Sequence, residues 1–221
     1  MKKLTLITLA LVATLAKADP VLLDRSPDAY PTATLLASNS GNWANSRDSQ
    51  HFADSFSFAS GEVLTGMGLY SGSDWGSLGQ TVTIQLWADN AGTPGLLLNE
   101  FQESISVIDT NGSSSASLIN QKYVDFTNPL NLAGSTLYWI SMSGGDGSSY
   151  SELAMLGLSG SGAPDDGRSF QISGNTPQGF TPVGDASMRL YGHEVPEGGL
   201  TVSLLGVAMI GLVSLRRKLA A

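Results

Sequence analysis

Thr81-Val82-Thr83-Ile84-Gln85-Leu86-Trp87 alternates polar and apolar side chains without a break. An extended backbone sends successive side chains to opposite faces, so Val82, Ile84 and Leu86 point one way and Thr81, Thr83 and Gln85 the other. That period predicts a half-buried strand. The next eight residues, Ala88-Asp89-Asn90-Ala91-Gly92-Thr93-Pro94-Gly95, are dense in turn formers. The apolar pattern resumes over 96–101, so the unit predicts a hairpin with a long loop.

The same grammar extends in both directions. Residues 52–58 set Phe52, Phe56 and Phe58 on one face. Residues 63–70 are interrupted by Gly66 and Gly68, which predicts a bulge or close sheet packing. Further runs at 122–126, 136–142, 152–158, 169–172 and 187–191 bring the expected number of strands to about nine. Gly/Ser/Asp-rich stretches such as 111–117 and 143–149 divide them, and the lead-in from Asp19 to about Ser38 can add an edge strand. No sustained helical period interrupts the series. The expected fold is all-β, an antiparallel sandwich of jelly-roll type.

Both ends of the chain read differently from its middle. Met1-Lys2-Lys3 is followed by an apolar run over 4–15 and by Ala16-Lys17-Ala18. Those are the parts of a secretory signal, with Ala16 and Ala18 at the small-x-small cleavage site and Asp19 as the first mature residue. An uncleaved anchor is the weaker alternative, because the run is short for a membrane span. At the other end Val195-Pro196-Glu197-Gly198-Gly199 precedes an apolar run over 200–215 and the basic cluster Arg216-Arg217-Lys218. As a helix that run rises about 24 Å, short of a roughly 30 Å hydrocarbon layer. Extension to residue 219, with the basic side chains snorkelling, closes the gap. The basic end stays cytoplasmic, which places the domain outside. The expected organisation is a signal peptide over 1–18, an extracellular domain over 19–194 and a membrane-spanning tail over 195–221.

Charge and cysteine content exclude several classes of function. The whole chain carries −8, yet between Asp19 and Glu197 five basic residues face all 19 acids, and 5 − 19 gives −14. Such a domain repels nucleic acid and anionic headgroups, since phosphate binding depends on Lys and Arg. With no cysteine there is neither disulfide, thiol nucleophile nor thiolate metal site. His51 and His193 are isolated, too few for an imidazole metal cluster, and are expected at strand edges or on the surface.

The remaining chemistry is thin. Glycoside hydrolysis needs two carboxyl groups on opposite sides of a sugar bond, and Asp165-Asp166, before Gly167, is the one adjacent acidic pair. Adjacent residues usually point apart, so a solvated turn is the better reading. Asp89, Asp146, Asp165 and Asp166 are weak calcium candidates in an acidic exported domain, although none sits in the spaced pattern of an EF-hand loop. No other cofactor or metal is expected. There is no Gly-x-Ser-x-Gly elbow, and the glycines at 144–147 lack the Lys-Ser/Thr of a phosphate loop. Trp87 and Trp139 lie in strand patterns and are expected in the core. Trp43 and Trp75 lie in polar loops, where an indole can stack on a sugar or plug the loop onto the sandwich.

The tail from Val195 to Lys218 resembles the PEP-CTERM class of bacterial sorting signals, in its Val-Pro-Asp/Glu-Gly/Ser-Gly variant. Motif, apolar span and basic cluster are all present, with Glu197 where Asp is commoner. The resemblance implies recognition by an exosortase through Pro196, Glu197 and Gly198-Gly199, followed by release or transfer to the cell surface or extracellular polymer. A softer resemblance, carried by Gln50-His51-Phe52-Ala53-Asp54-Ser55-Phe56, by residues 86–95 and by Ser187-Met188-Arg189-Leu190-Tyr191-Gly192, is to choice-of-anchor β-sandwich domains. The expectation is a non-enzymatic surface or matrix protein. A carbohydrate-binding module for extracellular polysaccharide is the alternative, and a polysaccharide hydrolase or lyase, motivated only by abundant carboxylates, is the second.

Overall fold

The computed structural model describes residues 19–26, 34–36, 50–72, 77–109, 119–144, 157–159, 169–173, 175–181 and 184–195. In chain order the strands are β1 (Val21–Asp24), β2 (Thr34–Leu36), β3 (Gln50–Phe56), β4 (Glu62–Gly72), β5 (Thr81–Asp89), β6 (Pro94–Ser104) and β7 (Val107–Asp109). They continue as β8 (Ile119–Leu132), β9 (Tyr138–Gly144), β10 (Gly157–Ser159), β11 (Ser169–Ser173), β12 (Thr176–Thr181), β13 (Asp185–Ala186) and β14 (Met188–Glu194). Among the described residues there is no helix, and so none long and apolar enough to cross a membrane. The expected signal segment and C-terminal span lie outside them.

Five strands form one sheet in the order β1-β14-β4-β8-β7, and six form another in the order β12-β11-β3-β9-β5-β6. A three-stranded piece, β13-β10-β2, completes the set, and all pairings are antiparallel. The main core lies between the two larger sheets. Leu64, Met67, Val124 and Leu190 enter it from the first, and Phe56, Ile84, Leu86 and Ile140 from the second. Full burial of such side chains is worth about 1.5–3 kcal/mol each, and with no cysteine the chain has no disulfide to supplement it. The arrangement is that of a β-sandwich.

Fourteen strands are described where about nine were expected. Most of the excess is pieces of two to four residues (β1, β2, β7, β13), too short for any period to declare them, and β12 is the other addition. The lead-in supplies β1, an edge strand. The strand expected over 152–158 is described only from Gly157 onward. β8 runs well beyond the expected 122–126, through Asn128-Pro129, which reads as a turn in the sequence. Leu130 pairs with Leu64 and Asp125 with Gly66, so β8 advances five residues while β4 advances two. A bulge of that kind accommodates a proline inside a strand.

Two expectations around β5 are corrected. The strand is not half-buried: Thr83, Gln85 and Trp87 are as inaccessible as Val82, Ile84 and Leu86 on the opposite face. On the face away from the main core, Trp87 belongs to a second buried cluster with Ala53, Trp139, Phe170 and Ile172. The hairpin loop is also shorter than expected, because Asp89 pairs with Pro94 and the Asn90 N–H donates to the Thr93 carbonyl at 2.8 Å. Ala91 and Gly92, at φ of 53° and 85°, make this tight reversal. On β4 both readings of the glycines hold. The register shifts between Leu64 and Gly66, and the side chains of Tyr123 and Gln121 lie against Gly66 and Gly68.

Gly192 offers a direct test of how β1 is held. It is buried, and a Cβ there would run into the Val63 carbonyl and approach Leu22. Gly192→Ala is expected to cost about 1–3 kcal/mol in urea unfolding. Gly61→Ala, whose Cβ would meet Leu132 and Val195 at ordinary contact distance, should stay within about 0.5 kcal/mol.

Candidate functional site

Of the expected sorting motif, Val195 is described. β14 ends at Glu194, and the Val195 N–H donates to the Gly61 carbonyl at 2.9 Å, so the chain stays sheet-like up to this residue. Its side chain is exposed. Pro196, Glu197, Gly198, Gly199, Arg216, Arg217 and Lys218 lie outside the described residues, as do Ala16, Ala18, Trp43, Trp75, Asp146, Asp165 and Asp166. Next to β14 runs β1, and the Gly192 N–H donates to the Pro20 carbonyl at 3.0 Å. Asp19, expected to open the mature chain, therefore starts beside the place where the tail leaves.

Asp89 is the described calcium candidate, and its carboxylate has work within the hairpin. Oδ1 accepts from Trp139 Nε1 at 2.9 Å, and both oxygens lie 3.1 Å from the Gly92 backbone nitrogen. It thus fixes the turn and gives a buried indole its acceptor. Among the described residues no three His, Asp or Glu side chains gather as a metal site.

The densest polar constellation is one the sequence did not announce. Asp54 lies between Phe52 and Phe56 on the core-facing side of β3, at 1% exposure. Arg25 Nη1 approaches its Oδ2 at 3.0 Å, the Ala186 N–H donates to the same oxygen, and the Ser55 N–H donates to Oδ1 at 2.7 Å. Asp185, also fully buried, stands near enough to repel. Burial, reinforced by Asp185, pushes the Asp54 carboxyl up to about 7 against the pull of Arg25 and the two amides. With a second carboxyl nearby and no water in reach, a retained proton lowers the cost of burying the Asp54 charge. No solvent reaches the pair, so these carboxyls flank no open cleft in this conformation.

His51 corrects an expectation. It is wholly buried rather than at a surface or edge, and it stacks on Trp87 with ring centroids 6.1 Å apart. Trp87 and Trp139 are core residues as expected, and His193 is exposed. Beside them Gln85 Nε2 donates to Glu100 at 2.6 Å and to Asn175 at 2.7 Å. Gln85 Oε1 and the hydroxyl of its cross-strand neighbour Ser141 find no hydrogen-bond partner among the described residues. On the outer face of the other sheet, Tyr123 and Tyr191 meet edge to face at 4.9 Å, and Gln121 Nε2 donates to the Tyr191 hydroxyl. No family model matches this chain, and no curated protein does.

The Asp54 cluster sets a pH dependence. The folded state holds a proton up to about pH 7, whereas the unfolded carboxyl releases it near its ordinary 3.8. Between those values the folded state binds more protons, so stability from this group is full in acid, falls as pH rises to about 7, and is flat above. Asp54→Asn is expected to flatten that decline in chemical denaturation from pH 4.5 to 8. Asp54→Ala, which removes the carboxyl that faces Arg25 and accepts from the Ala186 and Ser55 amides, is expected to lose about 1–3 kcal/mol. Asp89→Ala should lose about 1–3 kcal/mol, because it removes the carboxylate that accepts from Trp139 Nε1 and from the Gly92 amide. A calcium-ligand role would instead show that loss only with calcium present.

Proposed function

We propose that this is an exported β-sandwich of jelly-roll type, delivered to the cell surface or extracellular matrix by its C-terminal tail and acting there without catalysis. What supports the reading is the way the last strand ends. β14 closes at Glu194, Val195 makes one more backbone bond, and the Pro-Glu-Gly-Gly sequence follows at once. The motif begins at the last paired residue of the fold, Val195, so the four residues that follow it can be gripped by a processing enzyme without opening the sandwich. Pro196 restricts its predecessor Val195 to extended geometry. An exosortase-type enzyme is the partner this implies, with the inner membrane as a transient anchor and the domain outside.

The choice-of-anchor resemblance supplies no chemistry, and the buried carboxylates are committed to the fold. The role fits a surface display or matrix component. Mass spectrometry of the protein from its own cells tests the sorting step. The expected mature species begins at Asp19 and lacks the residues beyond the motif. Deleting 195–221 is expected to shift the domain from the cell surface to the medium or periplasm, and an intact tail on wild-type surface protein would sink the reading.

A further inference from the structure

We propose that the end of the sandwich where β1 begins and β14 ends faces the membrane, with the outer leaflet of the bilayer as its partner, so that the anchored domain stands upright on this pole. The proposal rests on the sorting-tail reading above and adds a surface and an orientation to it.

The pole is built from described residues. Asp19 and Pro20 lie beside Gly192, and Val195 is bonded to Gly61. The neighbouring segments are tied together, since the Ser135 N–H donates to the Phe58 carbonyl at 2.7 Å and its hydroxyl to the Ala59 carbonyl at 3.3 Å. The β5–β6 turn joins them from the second sheet, because Ala88 at the end of β5 pairs with Tyr138 at the start of β9. Val21 and Val195 leave their side chains exposed here, at 46% and 39%.

Chain length decides which end can approach the bilayer. Four residues, Pro196 to Gly199, separate Val195 from Leu200, where the apolar run begins. Five backbone steps reach at most about 18 Å, and the headgroup layer takes up roughly 5–7 Å of that. The far end of the sandwich lies eleven residues of β4 away, about 36 Å at strand rise. The tether is half that length, so the pole is held at the leaflet. Before the signal segment is removed, a second tether leaves the same pole, one strand spacing of about 4.8 Å away.

Charge keeps the rest of the domain off the lipid. Residues 19–20, 58–62, 89–94, 133–137 and 193–195 include Asp19, Glu62, Asp89 and Glu194 and no Lys or Arg. The domain carries −14 between Asp19 and Glu197, so an anionic leaflet repels it as a whole, and a body tethered by one end is kept furthest from the lipid when it stands on that end. Basic residues that would bind headgroups are absent from the pole, so nothing but the tether retains the domain there.

Because the chain has no cysteine, single-cysteine variants of the full-length protein report position cleanly. Ala59→Cys and Ala133→Cys mark the pole, while Ser77→Cys and Ser104→Cys mark the far end, all at exposed positions. In right-side-out membrane vesicles from a host lacking the sorting enzyme, a bulky impermeant maleimide is expected to label the pole several-fold more slowly than the far end. Detergent, or a long Gly/Ser spacer inserted before Pro196, should abolish the difference. Equal labelling of all four sites in a membrane-retained protein overturns the upright pole and leaves the sorting tail standing. Slow labelling of the pole that survives the spacer also overturns it, as local shielding. A chain that does not stay with the membrane overturns the tail reading and the proposal with it.

Discussion

The Asp54 carboxylate is the contact on which the rest of the sandwich depends. Sinking a carboxyl group into the layer between Phe52 and Phe56 is costly unless its oxygens are satisfied, and its close partners, with the proton it holds up to about pH 7, offset that cost. Those partners arrive from opposite ends of the chain, Arg25 just after β1 and the Ala186 amide in β13. Slipping β3 by one residue would turn Asp54 to the other face and strip it of both. The Arg25 N–H also donates to the Met188 carbonyl, and the Ser187 hydroxyl donates to the Arg25 carbonyl. One buried group thereby fixes the register of β3, the N-terminal segment and the entry to β14 together, in a chain that has no disulfide to do so.

The fold class was legible because β5 and the glycine-interrupted β4 carry their period openly. What could not be read was everything decided by non-local partners. Thr83, Gln85 and His51 look like solvent-facing residues in a linear pattern, yet all three are buried. Lys122 likewise lies inside, at a position where charge alone argues for the surface. Pro129 argues against a strand until a bulge opposite Thr65 absorbs it. Asp54 looks like an interruption of a phenylalanine face, and nothing local names Arg25 as its partner.

The candidate site divides along the same line. The tail motif is a contiguous string, so its reading needs no fold, whereas Asp89 reads as a weak calcium candidate in a turn-rich stretch and nothing local names it as the acceptor for Trp139. That Asp19 and Val195 share one end of one sheet is a property of topology and leaves no trace in composition or spacing.

β14 sits between β1 and β4, and Val21 pairs with Tyr191. The strand made first and the strand made nearly last are therefore neighbours, with almost the whole domain closed in the loop between them. Contacts of such long sequence separation form slowly, since loop closure precedes any reward. The five-stranded sheet has no way to complete itself while β14 is missing, so a growing chain holds its β4 edge open until synthesis is nearly finished. Under the export proposed above, in which the chain would thread a membrane unfolded, such postponed closure would be an advantage of the strand order.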